Sequence, residues 1–219
     1  SINKYNQDSI IKGFTTNPSL MKSAGVNDYE EFAKKILSIV KNKPVSFEVF
    51  SDDLIEMENQ ANQLAKWGQN VYVKIPITNS EGKSCNSLIK KLNKNGILCN
   101  VTAIFTLKQI KDLVDELESS SEIILSIFAG RIADTGEDPI ILMKEAKKIC
   151  EKKKNIKILW ASTREIYNIF QAEDCKSDII TVPHDLIKKF KDIGKDLDQF
   201  SIDTIKQFLK DSSSLNLKK

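Results

Sequence analysis

A lysine inside an apolar, strand-like run is the residue of this sequence that points most directly to chemistry. Lys74 lies in the run from 71 to 76, where aliphatic residues alternate with Tyr72 and Lys74. Burying an ammonium group without an ion partner costs free energy, so the neutral amine becomes more accessible there. A neutral amine can attack a ketone and form an iminium, which draws in electrons while a neighbouring C–C bond breaks. A lysine held in an interior ion pair, or one reaching to the rim, explains the pattern equally well.

A carboxylate takes the equivalent place in the run from 45 to 49. Glu48 has the same parity in that run as Lys74 has in its own. A carboxylate close to the amine can activate water and transfer protons while a carbinolamine forms and breaks down. The alternative is a simple salt bridge, for which Lys74 itself is a candidate partner.

Two arginines follow strand-like runs at the points where helices should begin. Arg131 stands in the segment 126–131, and Arg164 closes the segment 161–164 just after Ser162. Guanidinium groups together with the amide groups of a helix start suit a phosphate. Arginines are common on protein surfaces, so each one alone is a weak signal and the pair a moderate one.

Composition excludes several other classes of function. The 33 basic and 30 acidic residues give a formal net charge of +3, and both signs occur along the same segments. That mixture is typical of solvated helix surfaces and leaves no basic stripe for nucleic acid. The apolar runs are shorter than the roughly 20 residues that cross a membrane, so no membrane association is expected. His184 is the single histidine, which excludes zinc sites built on several histidines; we expect it to be structural or exposed.

The cysteines are consistent with a cytoplasmic protein. Four of them are scattered along the chain without a C-x-x-C pair: Cys85, Cys99, Cys150 and Cys175. We therefore expect free thiols in a reducing compartment.

Seven strand-like runs alternate with helical patterns, and we expect one domain over residues 1–219. The runs cover 12–16, 45–49, 71–76, 97–102, 122–127, 156–161 and 178–182. Strict alternation implies a parallel sheet, either open and doubly wound or closed into a barrel. A doubly wound sheet needs apolar residues on both faces. Polar residues of one parity in several of these runs therefore favour a barrel, whose interior can carry an active site at its top.

Helix-start signals place the helices between the runs. Asn27 and Asp52 are candidate caps for helices over 28–41 and 53–67, Thr106 for one that ends at 118, and Asp138 with Pro139 for one that ends near 152. Two more helices should begin near 185 and 201. A barrel of this kind has eight strands, and the helix-like segment 1–7 resembles the tail of a first helix. The fold class predicted is therefore α/β, a (β/α)8 TIM barrel whose first strand lies outside this sequence.

Six ordered segments resemble the transaldolases, over nearly the whole chain. They are residues 13–20, 45–49, 73–76, 100–102, 126–131 and 161–164, and the short bacterial transaldolases are the most similar. The resemblance implies a (β/α) barrel with Lys74 as its Schiff-base lysine. It implies a cytoplasmic enzyme of pentose phosphate type that moves a dihydroxyacetone unit from a ketose phosphate to an aldose phosphate, with no metal and no other cofactor.

The resemblance also implies a role for each site residue. Glu48 and Thr102 would share the catalytic water. The other implied ligands are Asn17, Asn100 and Ser126 for the dihydroxyacetone unit, with Thr15 nearby, Phe128 lining the pocket, and Arg131, Ser162 and Arg164 for the phosphate. Because short transaldolases commonly form rings, it further implies a homo-oligomer, such as a pentamer or decamer, with C-terminal helices exchanged between neighbours.

Three departures and two alternatives accompany the resemblance. The family has an aspartate on its first strand, and no residue of this sequence takes that place. Ile127 and Ala129 stand where the family usually has Pro and Val, which keeps the ligands but alters the backbone between them. Trp160 stands where a small residue is common and is expected to narrow the pocket. The alternatives are a fructose 6-phosphate aldolase and a non-catalytic barrel that binds sugar phosphates. The related aldolases typically carry Gln in place of Glu48 and Tyr in place of Phe128, so both positions favour transfer.

Overall fold

The chain was analysed as a computed structural model that describes residues 2–118, 121–213 and 215. Its contacts divide it into two compact units, Ser1–Val182 and Pro183–Lys219. The first unit carries all of the predicted strands. The assignment of residues 1–219 to one domain remains a prediction.

A single parallel sheet forms the centre of the first unit. Its strands lie side by side in chain order and are β1 (Phe14–Thr15), β2 (Val45–Glu48), β3 (Val71–Pro76), β4 (Cys99–Ile104), β5 (Ile123–Ile127), β6 (Ile156–Trp160) and β7 (Ile179–Ile180). Each neighbouring pair is parallel. Every predicted run therefore overlaps an observed strand, and the α/β class is confirmed.

Helices connect these strands, as the alternation predicts. In the first unit they are α1 (Ile2–Gln7), α2 (Pro18–Ser23), α3 (Tyr29–Ile39), α4 (Leu54–Ala65), α5 (Asn86–Lys94), α6 (Leu107–Glu116), α7 (Ala129–Ala133), α8 (Pro139–Cys150) and α9 (Tyr167–Asp174). Within the described residues, no helix combines the length and apolar character needed to cross a membrane.

Side-chain caps fix where several helices begin. Thr106 and Gln109 form the capping box that begins α6, and Asp138 caps α8 with Pro139 as its first residue, as predicted. The predictions for Asn27 and Asp52 are wrong by one residue. Asp28 caps α3 and Asp53 caps α4. Each aspartate is the extended residue directly before its helix, and its carboxylate accepts hydrogen bonds from main-chain amides in the first turn.

The two faces of the sheet have opposite character. One parity of each strand packs against the helices in a large apolar core, with Phe47, Val73, Val101 and Leu125 all fully buried. Burying an aliphatic or aromatic side chain of this kind contributes about 1.5–3 kcal/mol. The other parity carries polar side chains and a smaller apolar cluster around Tyr72. This is the face on which the candidate site lies.

The second unit is helical. It consists of α10 (His184–Ile187), a 3-10 helix (Lys188–Asp192) and α11 (Leu197–Ser212). The two helices predicted near 185 and 201 are therefore present, although the second begins four residues earlier. His184 is exposed at the start of α10, as expected.

Candidate active site

Lys74 and Glu48 form an ion pair on neighbouring strands. The register of β2 and β3 places Glu48 directly beside Lys74, and the Lys74 Nζ donates to Glu48 Oε1 at 2.5 Å. The two side chains are only 15% and 10% exposed. Of the interpretations drawn from the sequence, the interior ion pair is the one that the structure shows. Transfer of one proton inside this pair would yield a neutral amine and a neutral acid.

Thr16 completes this cluster and was not singled out from the sequence. The Lys74 Nζ also donates to the Thr16 carbonyl oxygen at 2.7 Å. The Thr16 hydroxyl lies 2.6 Å from Glu48 Oε2 and 2.8 Å from the Ser46 carbonyl oxygen. Both carboxylate oxygens of Glu48 are therefore engaged. The available signal was the place of Thr16 at the end of the predicted run 12–16, beside the strand that carries Glu48.

Beside Lys74 on the same face, hydrogen bonds link three further polar side chains. Asn100 is the β4 partner of Lys74 in the parallel ladder. Its amide donates to the Ser46 hydroxyl at 3.1 Å, and the Ser126 hydroxyl donates to the Asn100 amide oxygen at 2.6 Å. All three polar side chains are buried. The structure thus brings Asn100 and Ser126 together next to the amine, where they could bind hydroxyl groups of a ligand.

The remaining residues of this group lie at the strand ends. Thr102 pairs with Pro76, two residues beyond Lys74 on β3, and is half-buried. In the described residues no hydrogen bond joins the Thr102 side chain to Lys74 or Glu48. Thr15 is exposed at the end of β1, and the exposed Asn17 accepts from the Ser19 amide at 2.8 Å. These two residues flank Thr16 at the same end of the sheet.

The loops that carry the two predicted phosphate ligands are in contact. The Gly130 amide donates to the Ala161 carbonyl oxygen at 3.3 Å. A Cβ atom on Gly130 would lie 1.6 Å from the Ser162 carbonyl oxygen, so only glycine fits there. Ser162 itself has a positive φ of 64°, which is uncommon for a residue with a side chain.

The arginines themselves are exposed and differ in their partners. The Arg131 guanidinium lies 5.4 Å from the centroid of the Phe128 ring, a cation–π distance. The Phe128 ring also packs against Phe105, with 5.6 Å between centroids. Arg164 binds Asp134 through two hydrogen bonds. Asp134 was not recognised in the sequence, because an acidic residue in a mixed-charge loop carries no distinguishing pattern.

Trp160 does not narrow the site, and that expectation is wrong. Its side chain is fully buried in the core on the helix side of the sheet, together with Ile158 and Met143. Leu159 and Ala161, its neighbours in the chain, belong to the cluster on the opposite face. The alternation of side chains along a strand explains the error, because Trp160 has the outward parity of β6.

The cysteines are not poised as nucleophiles. All four are free and buried. Burial raises the pKa of the Cys99 thiol to about 12, and burial, together with the charge of Asp52, raises that of Cys85 to about 11. Thiolates are therefore scarce near neutral pH. The described residues contain no group of three or more His, Cys, Asp or Glu side chains that could hold a metal ion.

Comparison with known proteins adds independent findings. A family model described as transaldolase/fructose-6-phosphate aldolase matches residues 1–219. A probable transaldolase of Dehalococcoides mccartyi is 33% identical over 179 residues, which cover 81% of this chain and 79% of that protein. One of Methanococcus maripaludis is 35% identical over 189 residues, covering 86% and 83%. A probable transaldolase 2 of Listeria monocytogenes is 36% identical over 189 residues, covering 86% and 82%.

Proposed function

This chain belongs to the transaldolase and fructose-6-phosphate aldolase family, and from that premise we propose that it is a transaldolase working through a Schiff base on Lys74. The observation that carries the proposal is the pair formed by Lys74 and Glu48 on adjacent strands. It puts a nucleophilic nitrogen within hydrogen-bond distance of a group that can accept and return its proton. Such a pair suits covalent catalysis on a ketone.

The proposed transfer begins with a covalent bond between Lys74 and the donor sugar. The Lys74 amine adds to the ketone of a ketose phosphate, and the carbinolamine loses water to form an iminium. The hydroxyl group on the second carbon from the iminium carbon then gives its proton to the Glu48 carboxylate. The bond between that second carbon and the carbon next to the iminium breaks, its electron pair moves toward the iminium nitrogen, and an aldose phosphate leaves. The resulting enamine attacks the aldehyde carbon of an acceptor aldose phosphate, whose oxygen takes a proton back from Glu48. Water then hydrolyses the new iminium and releases the product and the free amine.

Glu48 serves as the proton carrier in these steps, with Thr102 sharing the water. The buried position of Glu48 and its contact with the Lys74 Nζ support this role. Asn100 and Ser126 would bind the hydroxyl groups of the dihydroxyacetone unit, together with Asn17 and with Thr15 nearby. Their support is the hydrogen-bonded chain that begins beside Lys74.

The phosphate end of the substrate would lie over the loops after β5 and β6. We assign it to the guanidinium groups of Arg131 and Arg164 and to Ser162, with Phe128 lining the pocket. Support comes from the close contact between the two loops at Gly130 and from the exposure of both arginines. Guanidinium groups bind phosphate oxygens through charge-assisted hydrogen bonds.

We extend the proposal to the architecture, the cellular compartment and the assembly of the whole protein. The seven parallel strands are part of a (β/α)8 barrel, residues 1–219 form one domain, and the protein works in the cytoplasm as a homo-oligomer. Support comes from the family, from the order of the sheet, and from the apolar side chains exposed along α11.

A fructose 6-phosphate aldolase is the second candidate. Such an enzyme would release the dihydroxyacetone unit to water instead of an acceptor. The family model covers both activities. Glu48 and Phe128 are the residues that favour transfer, since the aldolases typically carry Gln and Tyr at these positions.

Borohydride trapping tests the proposal. Incubation with fructose 6-phosphate and borohydride should add a reduced dihydroxyacetone unit to the peptide that contains Lys74. Lys74→Met should abolish the adduct while circular dichroism shows an intact fold. Absence of an adduct on the natural protein would sink the proposal for this donor. Turnover that requires an aldose phosphate acceptor identifies the transaldolase, whereas turnover without one identifies the aldolase.

A further inference from the structure

The hydrogen-bond ladder between β1 and β2 stops one bond early, next to the reactive amine. The Phe14 amide donates to the Pro44 carbonyl oxygen at 2.8 Å, and the Thr16 amide to the Ser46 carbonyl oxygen at 3.0 Å. In a regular parallel ladder, the Glu48 amide would then donate to the Thr16 carbonyl oxygen. That oxygen instead accepts the Lys74 Nζ at 2.7 Å.

The Glu48 amide, which has no partner in the ladder, is bound by the side chain of Tyr29. The Glu48 amide donates to the Tyr29 hydroxyl at 2.7 Å, and the same hydroxyl lies 3.3 Å from the Glu48 carbonyl oxygen, to which it donates. One hydroxyl therefore binds both main-chain polar groups of Glu48. Because Glu48 is buried, its amide would otherwise lack a partner or would compete for Thr16.

The Tyr29 ring is held from several sides, which fixes the position of its hydroxyl. Tyr29 is the first residue of α3, whose start is capped by Asp28. Its ring centroid lies 4.5 Å from that of Phe50, 5.6 Å from that of Trp67 and 6.0 Å from that of Phe47. Aromatic contacts at these distances are attractive and orient the rings.

The hydroxyl also keeps its proton. Burial, followed by the negative charge of Glu48, raises the pKa of Tyr29 well above its ordinary value. Near neutral pH the group is therefore a neutral phenol that can accept from the Glu48 amide and donate at the same time.

We propose that Tyr29 is a positioning residue for the Lys74 and Glu48 pair, because its hydroxyl occupies the Glu48 amide and so leaves the Thr16 carbonyl oxygen free to hold the amine. The inference rests on the proposed function, in which Lys74 and Glu48 carry the chemistry. Without the hydroxyl, either the Glu48 amide is left unpaired or the ladder extends and the Glu48 amide competes with Lys74 for Thr16. The first outcome frees the main chain of Glu48 from its anchor, and the second weakens the hold of Thr16 on the amine. Each therefore allows the amine and the carboxylate to move relative to one another.

The test compares the natural protein with Tyr29→Phe, which keeps the ring and removes only the hydroxyl. Each protein is mixed with saturating fructose 6-phosphate and quenched with borohydride at increasing times, and the Lys74 adduct is measured by mass. The rate constant for adduct formation should fall roughly 10- to 100-fold, the range that follows small displacements of reacting groups. The final trapped fraction and the KM for the donor should stay close to the natural values.

Two control variants separate positioning from packing. Tyr167→Phe removes a hydroxyl from an exposed residue and should leave the rate constant unchanged. Phe50→Leu removes a ring neighbour of Tyr29 but keeps the hydroxyl, so it should lower thermal stability without a comparable loss of rate. Hydrogen exchange supplies a second readout, because the Glu48 amide should exchange faster in Tyr29→Phe than in the natural protein.

Failure of the role of Tyr29 and failure of the proposed function give different results. A natural rate constant in Tyr29→Phe, whether the final trapped fraction is full or reduced, would overturn the role of Tyr29 and leave the proposed function standing. In that case a reduced trapped fraction would mean only that fewer molecules of the variant are folded. No adduct on the natural protein would remove the proposed function and this inference with it.

Discussion

The Lys74 and Glu48 pair determines how an amine can become a nucleophile inside this protein. Both side chains are largely buried, and breaking a buried pair by removing one partner costs about 3–5 kcal/mol. Moving the proton from nitrogen to carboxylate leaves two neutral groups and no isolated charge. Attack on a ketone is therefore open to Lys74 without separating the pair.

Glu48→Gln tests whether the carboxylate transfers protons. Glutamine retains the shape and an oxygen that can accept from the Lys74 Nζ, but it cannot take up a proton at neutral pH. We expect turnover to fall by about 100-fold or more, the usual contribution of a general acid or base, with Lys74 still able to form some adduct. Glu30→Gln, which removes an exposed carboxylate paired with Lys34, is the matched control. Steady-state turnover equal to the natural value in Glu48→Gln would contradict the proton-carrier role.

Trp160→Phe tests the assignment of Trp160 to the core. The smaller ring leaves unfilled volume, which costs about 1–3 kcal/mol. It also removes the indole Nε1, a buried donor without a partner in the described residues, which recovers about 1–3 kcal/mol. We expect the free energy of unfolding, measured by urea denaturation, to change by less than about 1 kcal/mol, and the donor KM to stay unchanged. A clearly altered donor KM would instead indicate that Trp160 lines the substrate pocket.

The site residues that could be predicted from the sequence are those whose position in the strand alternation places them on the same sheet face as Lys74. Glu48, Asn100 and Ser126 were found this way, and the structure places them on one face. Tyr29 was beyond that reasoning, because it reaches Glu48 from a helix and its partner is a main-chain amide. Asp134 was missed for a similar reason, since its ion pair with Arg164 joins two different loops.

At the scale of elements, the contact between the loops after β5 and β6 depends on Gly130. In Gly130→Ala, the new methyl group would overlap the Ser162 carbonyl oxygen, and the two loops must separate. We expect a loss of about 1–3 kcal/mol in the free energy of unfolding. We also expect a donor KM for fructose 6-phosphate about 10-fold higher or more, because Arg131 and Arg164 move apart.

Comparison of two donors makes that prediction specific to the phosphate. Unphosphorylated dihydroxyacetone lacks the group that the arginines would bind, so its KM in Gly130→Ala should change far less than that of fructose 6-phosphate. Ala133→Ser places a small change at an exposed position of the same helix and should alter neither KM. Equal effects on both donors would argue against phosphate binding at these loops.

Strands were predictable from alternation, whereas several local features were not. The run from 71 to 76 matches β3 from end to end, because both of its faces show a clear pattern. β4 instead continues past its predicted end at 102, through an irregularity in which Ala103 has a positive φ of 57°. The conformation coincides with a shift in the pairing of β4 with β5, and alanine gives no sign of it in the sequence. α7 is only five residues long, too short for a periodic signal.

At the scale of the whole molecule, the mixed surface charge is organised as local pairs. Lys34 with Glu30 and Lys108 with Asp112 are pairs four residues apart on exposed helix faces. Pairs of this kind are weak and screened by salt. Their arrangement agrees with the interpretation of the charges as a solvated surface and leaves apolar exposure as the stronger guide to assembly.

Helix α11 carries that apolar exposure. Ile205, Phe208 and Leu209 have the spacing of one helix face, and they are 55%, 66% and 66% exposed. Apolar side chains grouped in this way mark an interaction surface. We expect light scattering after gel filtration to give a mass several times the 24.8 kDa of one chain. Phe208→Glu should reduce that mass, because a charge at this position opposes burial, whereas the exposed Lys206→Glu should leave it unchanged. A natural protein with the mass of one chain would refute the assembly, without touching the chemistry assigned to Lys74.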